Sequence, residues 1–81
     1  MTVLAVFKSR AQTLDFVSLL RSGGVVASAV NTPKEAGVGC GISAKFDERF
    51  FPRVRLMLSK RNYTSFAGFM RRMGNTFVYV R

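Results

Sequence analysis

The stretch from Thr2 to Gln12, TVLAVFKSRAQ, changes character halfway along. Thr2 to Lys8 is short, β-branched and mostly apolar, which is the composition of a buried strand. Ser9 follows, with Gln12 three residues later. Ser-x-x-Gln is a capping box: the hydroxyl accepts from the backbone N–H of Gln12, and the Gln side chain reaches back. A strand that runs straight into a helix start opens a β-α-β unit. The helix is predicted to bury Leu14, Phe16, Val17 and Leu20. Ser22-Gly23-Gly24 ends it, because glycine accepts the left-handed turn past a helix C-terminus.

Downstream a second β-α-β half follows, with weak symmetry to the first. Val25 to Asn31 (VVASAVN) reads as a second strand, and Thr32-Pro33 breaks it, since proline cannot donate to a ladder. A loop from Pro33 to Gly41 holds three glycines and a cysteine. Ile42, Ala44 and Phe46 alternate with Ser43 and Lys45, predicting a third strand with one wet face. Asp47 to Asn62 reads as a second helix. Pro52 is tolerated only in its first turn, so the regular helix starts near Arg49 to Phe51. Val54, Leu56, Met57 and Leu58 supply its core face, with Arg53, Arg55, Lys60 and Arg61 left wet. Tyr63 to Met70 is a fourth strand, Gly74-Asn75 a turn, and Thr76 to Val80 a fifth strand closing a C-terminal hairpin.

The order β-α-β-β-α-β plus one strand places the chain in the α+β class. It predicts a ferredoxin-like βαββαβ two-layer sandwich with an antiparallel sheet and an extra C-terminal strand. Eighty-one residues make one small domain, residues 1–81, and 48% apolar composition is enough for one two-layer core. A single Cys excludes an internal disulfide framework. Without His there is no Cys/His cluster for a structural zinc, and no cofactor is implied. A free thiol fits a reduced, cytoplasmic compartment best. No apolar run approaches the roughly 20 residues of a membrane span, and MTVLAVFKSR reads as a strand and not as a signal peptide.

Cys40 stands between Gly39 and Gly41. In the predicted sandwich the first two strands are parallel and the third returns between them. The turn that carries Cys40 then lies beside the start of the first helix, near Lys8, Ser9 and Arg10, and near Lys60 and Arg61 at the end of the second. A helix N-terminus and neighbouring cations favour a thiolate over a thiol. Flanking glycines leave the sulfur uncrowded and let backbone N–H groups turn towards an anion. Such a site suits a thiolate, a persulfide or a selenopersulfide, and equally a non-covalent anion. A lone Cys is also often a small buried hydrophobe, and Gly39 and Gly41 can serve a tight turn alone. The residues leave these readings open.

Three stretches together resemble a known family: Phe7-Lys8-Ser9 before a helix, Val30-Asn31-Thr32-Pro33-Lys34-Glu35, and Gly39-Cys40-Gly41-Ile42-Ser43-Ala44-Lys45-Phe46. They are similar to the small bacterial domain called putative Se/S carrier protein-like. Ala67-Gly68-Phe69 resembles the Glu-Gly-Ile/Leu near that family's end. The resemblance covers about residues 3–70 and leaves the hairpin extension, about 71–81, outside. It implies that Cys40 carries sulfur or selenium as a persulfide or selenium adduct, that Ser9 caps the neighbouring helix and that Lys34 flanks the site. By the predicted topology, and apart from the resemblance, Lys8, Arg10, Gly39 and Gly41 would help stabilise the anion; the partners of such a carrier would be sulfur or selenium donor and acceptor proteins. The family's Ser or Thr just before its Cys is missing here, where Gly37-Val38-Gly39 stands, so this loop brings no hydroxyl of its own.

A formal charge of +9, from 13 Lys and Arg against four Asp and Glu, supports a second reading. A basic ferredoxin-like sheet can bind nucleic acid by stacking bases on exposed aromatics, here Tyr63, Phe66, Phe69, Phe77 and Tyr79. A protein-interaction or assembly module with no covalent chemistry is a third, since such domains pair through edge strands; the residues do not settle an oligomeric state. Enzyme chemistry of its own is not expected: there is no His for base work and no Cys-His dyad.

Overall fold

A computed structural model describes residues 1–37 and 40–80. The first strand, β1, is Thr2–Phe7, and α1 follows over Arg10–Ser22. Then come β2 (Ala27–Asn31), a 3₁₀ turn at Lys34–Ala36, and β3 (Ile42–Asp47). A second 3₁₀ turn, Glu48–Phe50, runs into α2 (Phe51–Ser59), and β4 (Phe66–Met73) and β5 (Thr76–Tyr79) finish the fold. The sheet order is β2-β3-β1-β4-β5, with every neighbouring pair antiparallel. The protein is therefore a mixed α+β fold with a five-stranded antiparallel sheet and two helices. The extra C-terminal strand expected from the sequence is present: β5 pairs with β4 at the sheet edge, so the strand order runs to five and differs from that of a four-stranded βαββαβ sheet. No helix among the described residues is long and apolar enough to cross a membrane.

Both helices cover one face of the sheet. Val3, Ala5 and Phe7 of β1 share a buried cluster with Phe16, Val17 and Leu20 of α1 and Val54 of α2. Phe7 is its hub, with ring centroids 5.3 Å from Phe16, 5.4 Å from Tyr63 and 5.3 Å from Phe66. The opposite face is also closed. Leu4, Val6 and Met70 are buried there beneath Ala36 of the first 3₁₀ turn, with Val30, Ala67 and Phe77 packed around them. Burial on both faces explains why β1 is an unbroken apolar run and not an alternating one.

Several boundaries differ from the sequence reading, each for a physical reason. The buried stripe of α1 is Thr13, Phe16, Val17 and Leu20, a strict i, i+3, i+4, i+7 spacing; Leu14 falls one residue off it and is 45% exposed. Leu56 of α2 likewise points outward, 56% exposed, while Val54 is buried. Pro52 does lie in the first turn of α2, which ends at Ser59 and not Asn62. Val25 and Val26 stay outside β2, and Val26 is 75% exposed. Ser43, expected on a wet face, is fully buried, because that face is covered and Thr32 Oγ1 lies 2.8 Å from its hydroxyl.

The fourth strand starts at Phe66 because the residues before it are committed to α1. The Lys8 N–H donates to the Ser65 carbonyl at 2.8 Å, and the Ser65 N–H donates to Gln12 Oε1 at 3.0 Å. The capping box closes through the same residue. Ser9 Oγ accepts from the Gln12 N–H at 3.2 Å as predicted, but the Gln12 side chain does not reach back to Ser9. It accepts from Ser65 Oγ at 2.6 Å, and Ser65 Oγ in turn accepts the Ser9 N–H at 3.2 Å. β4 then bulges between its pairings with Val6 and Phe7 and runs on to Met73, and its second half, from Met70 to Met73, pairs with β5 in the hairpin.

Candidate functional site

The loop between β2 and β3 is pinned at its base. The Thr32 N–H donates to the Gly41 carbonyl at 2.9 Å, and Gly41 has φ +85°, a conformation that favours glycine. With this tie and this turn at its base, the loop places Cys40 at the first turn of α1, half-buried. The thiol donates to the Ile42 carbonyl at 3.1 Å, and Thr13 Oγ1 lies 3.5 Å from the sulfur. Thr13 Oγ1 also donates to the Ser9 carbonyl at 3.0 Å.

Among the described residues this geometry gives the sulfur one acceptor and one adaptable neighbour. A neutral thiol satisfies the Ile42 carbonyl. A thiolate has no proton for that carbonyl and needs a donor, and Thr13 can rotate its hydroxyl from Ser9 to the sulfur. The Ser9 carbonyl keeps a partner in that case, because it also accepts the Thr13 N–H at 3.0 Å. The hydroxyl absent from the cysteine loop is thus supplied by α1. Thr13 was not among the residues singled out from the sequence. Its signal was there: a polar residue in the apolar stripe 13-16-17-20, one turn after the helix cap.

The other expected site residues are placed as follows. Ser9 caps α1 and reaches the sulfur through Thr13. Lys8 and Arg10 flank it and are exposed, and Lys34 is exposed at the start of the 3₁₀ turn. Among the described residues none of these three cations forms an ion pair or bonds the sulfur. Gly39 lies outside the described residues. Arg61 sits 3.8 Å from Asp15, whose carboxylate also accepts the Tyr63 hydroxyl at 2.6 Å.

The aromatic residues that could have stacked bases are otherwise engaged. Tyr63, Phe66 and Phe69 pack under the helices, and Phe77 packs over the opposite cluster. The Tyr79 hydroxyl donates to the Ala36 carbonyl at 2.7 Å. They do not form one open platform.

With this geometry in place, comparison with known families is decisive on one point. The family model described as "Putative Se/S carrier protein-like" matches residues 2–70. The chain belongs to that family. The Se/S carrier-like match begins with β1 and stops within β4, so β5 lies outside it. No curated protein and no solved structure matches the chain.

Proposed function

We propose that the protein is a sulfur or selenium carrier that holds its cargo on Cys40. The observation that carries this reading is the setting of the thiol: half-buried on a pinned loop, between the Ile42 carbonyl and the Thr13 hydroxyl. Membership of the Se/S carrier-like family supports it. The first four strands stand in the order β4-β1-β3-β2, and we read them as a ferredoxin-like split β-α-β sandwich to which β5 is added.

The transfer conserves atoms and electrons. The Cys40 thiolate attacks the outer sulfur of a donor persulfide. An Sγ–S bond forms, the donor's S–S bond breaks, and its electron pair leaves on the donor thiolate, which takes up the proton lost from Cys40. An acceptor nucleophile then attacks the outer sulfur and returns Cys40 as thiolate. Such exchange needs a positioned nucleophile and a good leaving group, with no redox step of the protein's own. Among the described residues Thr13 is the donor available to the anion at either stage. The partners are a persulfide-bearing donor protein and a nucleophilic acceptor protein, in a reducing compartment such as the cytoplasm.

Incubation with a cysteine desulfurase and cysteine, followed by intact-protein mass spectrometry, tests the reading. The expected result is a mass gain of one sulfur that thiol reductant removes and that Cys40→Ser abolishes. No gain in the wild-type protein overturns it. The nucleic-acid reading rests on charge alone once the aromatics are accounted for.

A further inference from the structure

The loop that bears Cys40 is tied down a second time, far from its base. Glu35 Oε2 accepts from Thr76 Oγ1 at 2.7 Å and from the Phe77 N–H at 3.0 Å. One residue on, the Ala36 carbonyl accepts the Tyr79 hydroxyl at 2.7 Å. Ala36 is itself buried against Leu4, Val6 and Met70. The Tyr79 ring is aimed at this contact by Gly68, where a Cβ would stand 3.1 Å from ring Cδ1. Every one of these ties comes from β5, and β5 lies beyond residues 2–70 of the family match.

We propose that the C-terminal hairpin is a clamp on the cysteine loop, with Glu35, Thr76 and Tyr79 as positioning residues for Cys40. The claim rests on the carrier reading only for its biological meaning; the mechanics stand apart from it. The loop has three anchors: Thr32–Gly41 at the base, Cys40 against Thr13, and Glu35–Ala36 against β5. Only three residues of chain, four peptide links, separate Ala36 from Cys40, a reach of at most about 14 Å. While Ala36 is held, the sulfur can leave Thr13 only within that tether. Releasing Ala36 lengthens the tether on Cys40, and seating the thiol again then carries a larger entropic cost. The population with the thiol seated at Thr13 then falls, and the thiol becomes more accessible.

The test is the rate and pH–rate profile of Cys40 alkylation by iodoacetamide, read by mass, in the full-length protein under native conditions. Tyr79→Phe removes only the hydroxyl and keeps the ring over Gly68. Thr76→Val removes one donor to Glu35, and Thr76→Ser restores it. Combining Tyr79→Phe with Thr76→Val is expected to speed alkylation about two- to tenfold, the population shift that loss of a typical net hydrogen bond produces. The pH–rate profile should shift with it, and Thr76→Ser, with Tyr79 intact, should alkylate at the wild-type rate where Thr76→Val does not. A general loss of stability would not produce that rescue together with a shifted profile well below the unfolding transition. A double variant with wild-type rate and profile overturns the clamp. If the wild-type protein takes no sulfur from the desulfurase while the double variant still alkylates faster, the carrier reading falls and the clamp stands. If the wild type loads sulfur and the double variant loads and alkylates as the wild type does, the clamp alone falls.

Discussion

β1 separates two faces that are closed by different means. On the helix side, Phe7 meets three aromatic rings within 5.4 Å, and α1 and α2 bury it completely. On the other side, Leu4 and Val6 are covered by Ala36, β4 and β5, and polar ties from β5 hold Ala36 in place. The first face is held by apolar area, which is large and non-directional. The second depends on a few hydrogen bonds, each of modest net worth. Elements of the second kind open first, so the 3₁₀ turn at Lys34–Ala36 is expected to open before the helix-side core does.

The sharpest break of this contrast is a pair of truncations within β1. Phe7→Ala should lose about 3–5 kcal/mol, because the rings around it cannot collapse into the space. Leu4→Ala, 2% exposed in the native protein, should lie near the low end of its class, about 2 kcal/mol. There the loop can settle inward and fill part of the gap. Urea denaturation of both variants decides it. Equal costs would mean that the loop packs as rigidly as a helix does.

Much of the helix face was legible in the sequence, and little of the loop face was. The strand-to-helix switch at Ser9, the proline in the first turn of α2 and the Gly74-Asn75 turn are local signals, written in neighbouring residues. The role of Glu35 is not local. Its partners Thr76 and Phe77 lie 41 and 42 residues away, and nothing near Glu35 announces them. The Gln12 side chain shows the same limit: the local rule aimed it at Ser9, and Ser65 intercepted it from 53 residues away. For Cys40 the topology gave the right helix end. The hydrogen-bond partner, Thr13, needs the register of α1, because apolarity alone assigns the buried position to Leu14 and the structure buries Thr13.

A smaller effect separates the scaffold of the site from its chemistry. Ser9→Ala removes the cap on the Gln12 N–H and should cost about 1 kcal/mol. It keeps the backbone carbonyl that orients Thr13, so the alkylation rate of Cys40 should stay as in the wild type. Thr13→Val keeps the shape of a fully buried side chain and should cost about 1 kcal/mol or less. It deletes the only hydroxyl that bonds the sulfur among the described residues, so the alkylation rate should change although stability hardly does. If both variants alter the rate alike, the cap and the thiol are one unit and the division drawn here fails.

At neutral pH the last contrast is silent, and it emerges only at the ends of the scale. Tyr63 closes the helix face, and burial, with the hydrogen bond to Asp15, pushes its phenol up to about 12 from 10.0. A raised pKa on an acid means that the folded state prefers the proton. That contribution is whole below pH 10.0 and is lost as pH climbs through 10.0 towards about 12. Glu35 holds the loop face, and its bonds from Thr76 and the Phe77 N–H keep its carboxyl below the ordinary 4.5. Its contribution is whole above 4.5 and is lost as pH falls through the lowered value. Acid should therefore loosen the cysteine loop before it disturbs the aromatic cluster. The check is amide exchange at Ala36 and Phe77 against Phe7 and Phe16, followed by NMR as pH falls from 6 to 3 (about the carboxylate range). Faster exchange at Ala36 and Phe77 alone supports two independently closed faces. Simultaneous loss of protection at all four sites would mean that the two faces open as one.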